Sequence, residues 1–570
     1  MKKKLLTSIF LLLISCSAVF AQNWSTFGGG NRRNGWSKMT GPQNVTTPYW
    51  TQTSSTTSLG NAVYSFGDKF VSSRITFSPY AGRIECRDLQ SGNLLWTSPF
   101  LNNSSIMYAI GFTEDAVYGH DYNTDTIYAF KKDNGNIIWR SALKSSTFGA
   151  YPGALFTCNG DLIVNGSVYD GIFTMRIDKN TGDTVWANRD IIVIGPPKGL
   201  AMGRKNVYRL TGGITTPVVL TAIDSETGQS LYTSNPLAGD PDQEHPITVG
   251  PDGIIYFWRD GGLLYAFKDN GSSFMQLWSY TPVAAGLFTG DISVGPGNSI
   301  YVFDDNRVKR IDQSGIVMDS SIALNLSQPS ITIGNDSTIY LNTGTGSIYA
   351  LSPDLQTVRW QLSAPQAVYC NPGLLKDGIM IVTQAGTNIR AYKPNLNIGP
   401  VADFRASTRK VIAGNAVDFF DQSSYNPVAW QWTFSGAVTP FSNLQNPSGI
   451  VYTIPGVYDV KLIAQNVLGA DTVIKDCQIE VLPPSVSVAE KDKNSFKLYP
   501  NPTSGPLFIM KENLLDNTMI TVYNMMGQTV YSSLITTGNP YEFMLEGAPG
   551  IYSVELMEGQ QKTVLKVVKN

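Results

Sequence analysis

The sequence predicts an all-β chain: an eight-bladed β-propeller followed by two small C-terminal β-sandwich (Ig-like) domains. Three observations predict it. Gly (53), Tyr (27), Phe (25) and Trp (11) are plentiful while Ala-, Glu- and Lys-rich stretches are scarce, a bias toward strands and tight turns. A phrase of strand, polar turn and Trp recurs every 41–47 residues or so, the range of a four-stranded blade. After Pro400 the repeat stops, and two blocks of alternating strands follow, as small sandwiches require.

In chain order, Lys2, Lys3 and Lys4 precede an apolar run at residues 5–14, about half the length of a stable membrane anchor. Val19-Phe20-Ala21 before Gln22 fits signal cleavage between Ala21 and Gln22, so residues 1–21 are read as a signal peptide. Leu13-Ile14-Ser15-Cys16 offers the alternative of a lipoprotein box, with lipid on Cys16. No later segment is apolar enough to span a bilayer, so no transmembrane segment is expected. A net charge of −2 with 15% charged residues leaves no basic footprint and excludes nucleic acid as a partner. Cys86, Cys158, Cys370 and Cys477 form no CxxC pattern, which excludes zinc and thioredoxin-type sites; they read as buried or unpaired thiols.

The repeat occupies residues 22–398. Its copies are IECRDLQSGNLLW (84–96), IYAFKKDNGNIIW (127–139), TMRIDKNTGDTVW (174–186), LTAIDSETGQSLY (220–232), LYAFKDNGSSFMQLW (264–278), VKRIDQSGIVMD (308–319) and IYALSPDLQTVRW (348–360). An eighth, IRAYKPN (389–395), ends before its Trp. Asp or Asn favours the hairpin turn, which usually ends in Gly at a positive-φ position. The large ring that follows is expected to dock on the neighbouring blade: Trp50, Trp96, Trp139, Trp186, Tyr232, Trp278 and Trp360. Trp50, 46 residues before Trp96, lies in an orphan strand (47–51) that would complete the eighth blade and clasp the ring. The segment resembles the quinoprotein-like (PQQ-type) propeller family, whose repeat reads Ala-x-Asp-x-x-Thr-Gly-x-x-x-Trp; Ala222, Asp224, Thr227 and Gly228 match, with Tyr232 for Trp. The opening from Trp24 through Gly28, Gly29, Gly30 and Asn31 to Gly35 is also similar to such domains.

Residues 400–482 resemble the PKD domain, through Trp432 and Phe434, Asn446-Pro447, Tyr452, Gly456, Tyr458, Val460, Asn466 and Gly469. That family's Gly-Asp-Gly is Ser435-Gly436-Ala437 here, so the role of its Asp is lost. Trp430, Trp432 and Phe434 share one face at period two, and core packing is expected over a sugar platform. Residues 483–495, polar and beginning Pro-Pro, read as a linker open to proteolysis. Residues 496–570 resemble the C-terminal sorting domain of type IX secretion cargo. Tyr499, Pro500, Asn501, Pro502, Gly505, Gly527, Gly550, Tyr552 and Lys566 carry that resemblance. It implies handling by the type IX secretion machinery, passage through the periplasm, and a secreted or surface-attached product.

No catalytic, cofactor or metal residues are expected. The quinone-dependent enzymes of the resembled family hold a flat quinone and calcium, many with adjacent cysteines, and no Cys-Cys pair occurs here. The two histidines, His120 and His245, sit in neither HExxH nor a Gly-x-Ser-x-Gly context. Asp240, Asp242 and Glu244 cluster without EF-hand spacing and read as a solvated loop. The expected role is a monomeric, non-catalytic binding or scaffold protein whose propeller engages an extracellular protein or glycan. The alternative is a secreted enzyme on the same scaffold, a PQQ-dependent dehydrogenase or a glycan-active hydrolase.

Overall fold

The computed structural model describes residues 29–570 except 59–62, 78–79, 100–105, 122, 125, 142–152, 158, 169–170, 190–198, 204, 213–215, 240–246, 260–262, 284–290, 325, 327–329, 343–346, 364–372, 384–385, 396, 484–495, 512–517, 536–539 and 560. The signal cleavage position at Ala21 and Gln22, Cys158, Cys370, His245 with Asp240, Asp242 and Glu244, and nearly all of the linker lie outside the described residues. The chain divides into two compact units, Met1–Pro483 and Pro484–Asn570.

The first unit contains eight four-stranded antiparallel sheets among the described residues, numbered 1 to 8 in chain order. Sheet 1 runs through Tyr64–Phe66, Lys69–Phe77, Tyr80–Asp88 and Leu94–Thr97. Seven sheets use four consecutive strands. Sheet 8 takes Gly373–Leu374, Met380–Thr383 and Gly386–Tyr392, and its fourth strand is Trp50–Ser58 from the other end of the repeat. Trp50 lies opposite Ala391 and Gln52 opposite Ile389. The orphan strand therefore fills the place left by the truncated last copy, and it runs further than residues 47–51. Pairing the start of the repeat with its end closes the ring and leaves no open edge at the seam.

The turn before each outer strand follows from its residues. In sheet 4 the Asp224 carboxylate accepts from the Thr227 backbone N–H at 2.7 Å, and Gly228 N–H bonds Asp224 O at 2.8 Å. Gly228 adopts φ 74°, the left-handed conformation that glycine enters without strain. A bulge at this point shifts the register, which twists the outer strand.

Residues 400–482 form a five-stranded sheet, ordered Lys410–Ile412, Gly469–Leu482, Gly456–Asn466, Ala429–Phe434 and Phe441–Ser442, with two short two-stranded pairs. Its core packs Phe404, Phe419, Trp432, Phe434 and Tyr452. Trp432 and Phe434 point inward, Trp432 Nε1 donating to Leu444 O at 2.8 Å, while Trp430 is half-buried against the same cluster. Core packing accounts for all three aromatics.

This module is joined to the ring by polar contacts. The Tyr425 hydroxyl donates to Thr40 O and accepts from Thr40 N–H, both at 2.9 Å. Tyr425 N–H donates to Asp377 Oδ1 at 3.0 Å, and Asn466 Nδ2 donates to Ile398 O at 2.9 Å.

The second unit stacks a three-stranded sheet (Lys497–Tyr499, Pro506–Met510, Tyr541–Met544) on a four-stranded one. The latter is ordered Thr529–Ile535, Thr518–Tyr523, Gly550–Glu558 and Gln561–Lys569. Phe496, Leu507, Ile509, Val522, Phe543, Val554 and Val567 are among its core residues.

Candidate functional site

Six of the indoles singled out in the repeat donate across a sheet boundary. Trp50 Nε1 bonds Leu89 O (3.0 Å), Trp96 bonds Lys132 O (2.8 Å), Trp139 bonds Lys179 O (2.7 Å) and Trp186 bonds Ser225 O (3.2 Å). Trp278 bonds Gln313 O at 2.7 Å, and Trp360 reaches Pro42 O at 3.0 Å because the truncated last copy lacks the turn that would receive it. The ring also lies on the glycine of the receiving turn. A Cβ on Gly92, Gly182, Gly228 or Gly315 would meet Trp50, Trp139, Trp186 or Trp278 at 2.5–2.8 Å, and Gly135 is covered likewise by Trp96. Gly in this phrase thus answers to two demands, a positive φ and an indole overhead.

The departures obey the same rule. Tyr232 stands in place of Trp, and its hydroxyl bonds Asp269 Oδ1 at 2.5 Å; a Cβ on Gly271 in that turn would meet nothing within 4 Å. Sheet 6 ends in Met318-Asp319 rather than Trp, and the receiving turn carries Leu355 at φ 62°, its side chain buried in the gap. A feature the repeat reading missed sits two residues after the large ring. The Ser98, Ser141 and Ser234 hydroxyls accept from Ile84, Ile127 and Leu220 N–H at 2.9–3.0 Å, pinning the outer strand to its neighbour. The recurring W/Y-x-Ser spacing was its signal.

Inside the ring, residues 31–39 run along the inner strands. Asn31 O accepts from Met202 N–H (2.9 Å), Arg32 O from Val249 (2.8 Å), Asn34 O from Val294 (2.8 Å), Gly35 O from Ile333 (2.8 Å) and Met39 O from Asn335 (2.9 Å). This segment visits sheets 4 to 7 in turn, satisfying N–H groups on edges that would otherwise lack partners.

Several buried charges in the first unit are held by neighbours. Arg176 bonds Asp161 at 2.9 Å and Glu226 at 2.6 Å. Asp304 accepts from Lys309 and Tyr280, each at 2.7 Å. Burial alone would raise the Asp269 carboxyl; hydrogen bonds from Tyr232, Gly271 N–H, Tyr208 and Asn206 outweigh it and hold it below the usual range. His120 lies on the strand Val117–Asp121, 2% exposed, and burial pushes its imidazole down to about 4. Among the described residues no group of three or more His, Cys, Asp or Glu is placed to hold a metal ion.

In the second unit Asn501, Gly550, Tyr552 and Lys566, among the residues expected to carry sorting, lie on or beside the last strand. Asn501 Nδ2 donates to Lys566 O and its Oδ1 accepts from Val568 N–H, both at 2.9 Å. Pro500 and Pro502 flank it, each after a cis peptide bond, and Tyr499 stacks on Phe508 with centroids 5.6 Å apart. Gly505 (φ 145°) leaves room for Met544 Sδ, which a Cβ would approach to 2.9 Å. Gly550 and Tyr552 lie on the strand paired with the last one; Tyr552 is buried and its hydroxyl donates to Ala548 O at 2.6 Å. Gly527 (φ 76°) closes the turn between Thr518–Tyr523 and Thr529–Ile535, and the Lys566 side chain is exposed.

Residues 497–570 match the family of secretion-system C-terminal sorting domains. The C-terminal unit is a type IX sorting domain. The protein is accordingly secreted or displayed at the cell surface, and among the described residues no helix is long and apolar enough to cross a membrane. Residues 80–215 match a PQQ-type repeat family described as outer membrane protein assembly factor BamB. No curated protein matches the chain significantly. Among solved structures, BamB from Moraxella catarrhalis is 18% identical, with a TM-score of 0.37 over 50% of this chain and 80% of its own. A europium-containing methanol dehydrogenase is 12% identical, with a TM-score of 0.49 over 64% and 89%. The quinohemoprotein alcohol dehydrogenase from Comamonas testosteroni is 12% identical, with a TM-score of 0.39 over 84% and 83%. These likenesses concern the fold alone.

Proposed function

We propose that the protein is a non-catalytic binding protein of the cell exterior, delivered by the type IX machinery, whose ring presents an interaction platform for an extracellular protein or glycan. The observation that carries this reading is a type IX sorting domain on the same chain as a closed ring whose buried carboxylates are engaged by their neighbours. Residues 22–398 would form the ring, 400–482 a PKD-like spacer, and 483–495 the linker, with the platform acting as a monomer. The polar joint at Tyr425 favours ring and spacer acting as one body. Assembly work in the outer membrane, named for the matched BamB family, fits less well because the sorting domain addresses the chain past the periplasm.

The test uses the mature protein as bait against envelope extracts and a glycan array, alongside melting with PQQ and calcium. Saturable binding of a glycan or envelope protein, with no cofactor-dependent rise in melting temperature, is the expected result. A rise that follows mass action in PQQ would replace the binding reading with the dehydrogenase one.

A further inference from the structure

Arg33, on the segment that lines the ring, is the most conspicuous polar group in the first unit. It is 3% exposed and adopts φ 53°, a left-handed conformation unfavourable for a side-chain-bearing residue. Its backbone is held on both sides: the N–H bonds Gly30 O at 2.9 Å, and the carbonyl accepts from Thr248 Oγ1 at 3.2 Å. One guanidinium nitrogen donates to Gly153 O at 2.9 Å. Among the described residues Nε and Nη1 have no hydrogen-bond partner. Guanidinium N–H groups only donate, so what is missing around Arg33 is an acceptor.

We propose that Arg33 holds a monovalent anion inside the ring, completing the seat of the N-terminal segment. The chemistry selects an anion over a neutral acceptor. A buried cation with two open donors is stabilised by charge as well as by hydrogen bonds, and the strained backbone aims the side chain there. The Asp291 carboxylate, which accepts from Ser330 Oγ at 2.9 Å, acts on Arg33 through its charge without hydrogen-bonding Nε or Nη1. Burial pushes the Arg33 guanidinium down to about 9, and an adjacent anion would reverse that shift.

Mature protein would be melted in sodium bromide and in sodium gluconate at equal ionic strength, as wild type and as Arg33→Met. The wild type should melt about 2 °C higher in bromide at ten times the dissociation constant, and the variant should lose that difference. Wild-type crystals in bromide should show an anomalous peak beside Arg33. Equal bromide shifts in the two proteins, or a wild-type crystal with no peak there, would overturn the proposal. The crystal decides alone if the variant does not fold.

Discussion

Replacing Gly228 by Ala tests the account of the repeat most directly. Two effects stack there. At φ 74° any Cβ incurs about 1–2 kcal/mol of backbone strain. The added methyl would also lie 2.5, 2.6 and 2.8 Å from three Trp186 ring atoms, overpacking worth about 1–3 kcal/mol more. Gly271→Ala is the matched control, with φ 87° and nothing within 4 Å of its Cβ, so it carries the strain alone. The expected losses are about 2–5 kcal/mol for Gly228→Ala and about 1–2 for Gly271→Ala. Urea midpoints of the mature protein, converted with a common slope, would measure both. In the Trp186→Ala background the excess at Gly228 should vanish, leaving a coupling of about 1–3 kcal/mol. Equal costs at the two glycines, or an excess that survives removal of the indole, would refute the idea that the glycine makes room for the preceding sheet's ring.

Acid should weaken the ring through His120. The unfolded imidazole binds its proton near 6.5 and the folded one only near 4, so stability falls as pH drops between those values, by up to about 3 kcal/mol. His120→Gln should flatten that part of the pH profile; an unchanged slope would clear the histidine. Tyr425→Phe removes both bonds to Thr40, costs about 1–2 kcal/mol at the joint, and should speed protease cutting near residues 395–400 several-fold. Cutting rates equal to wild type would argue that the joint does not depend on the hydroxyl. Asn501→Ala frees the last strand from Lys566 O and Val568 N–H, and fractionation should find the variant retained in the periplasm. Normal export would show that the sorting machinery does not need this clamp.

Much of the ring was legible because its physics is local. An Asp-x-x-x-Gly turn such as Asp224–Gly228 writes its own hydrogen bonds, and a Trp stands four residues after Gly at Trp96, Trp139 and Trp186. The orphan strand at Trp50 could be assigned by counting alone, since the eighth copy lacked one. The type IX resemblance was legible as a pattern, but one contact within it was not: Asn501 and Lys566 are 65 residues apart, and the Asn501 side-chain amide meets the Lys566 backbone carbonyl.

The sequence by itself determined the all-β architecture, the repeat and the export address, since hairpin turns, strand periodicity and end-of-chain motifs involve near neighbours. Only the tertiary structure decided why Leu355 can stand where other turns carry Gly, because the answer is an indole missing from the preceding sheet. It also decided that residues 31–39 line the ring and bury Arg33, a placement set by inner-strand N–H groups up to hundreds of residues away. Those partners have no local signature, and only closure of the ring brings them to one segment.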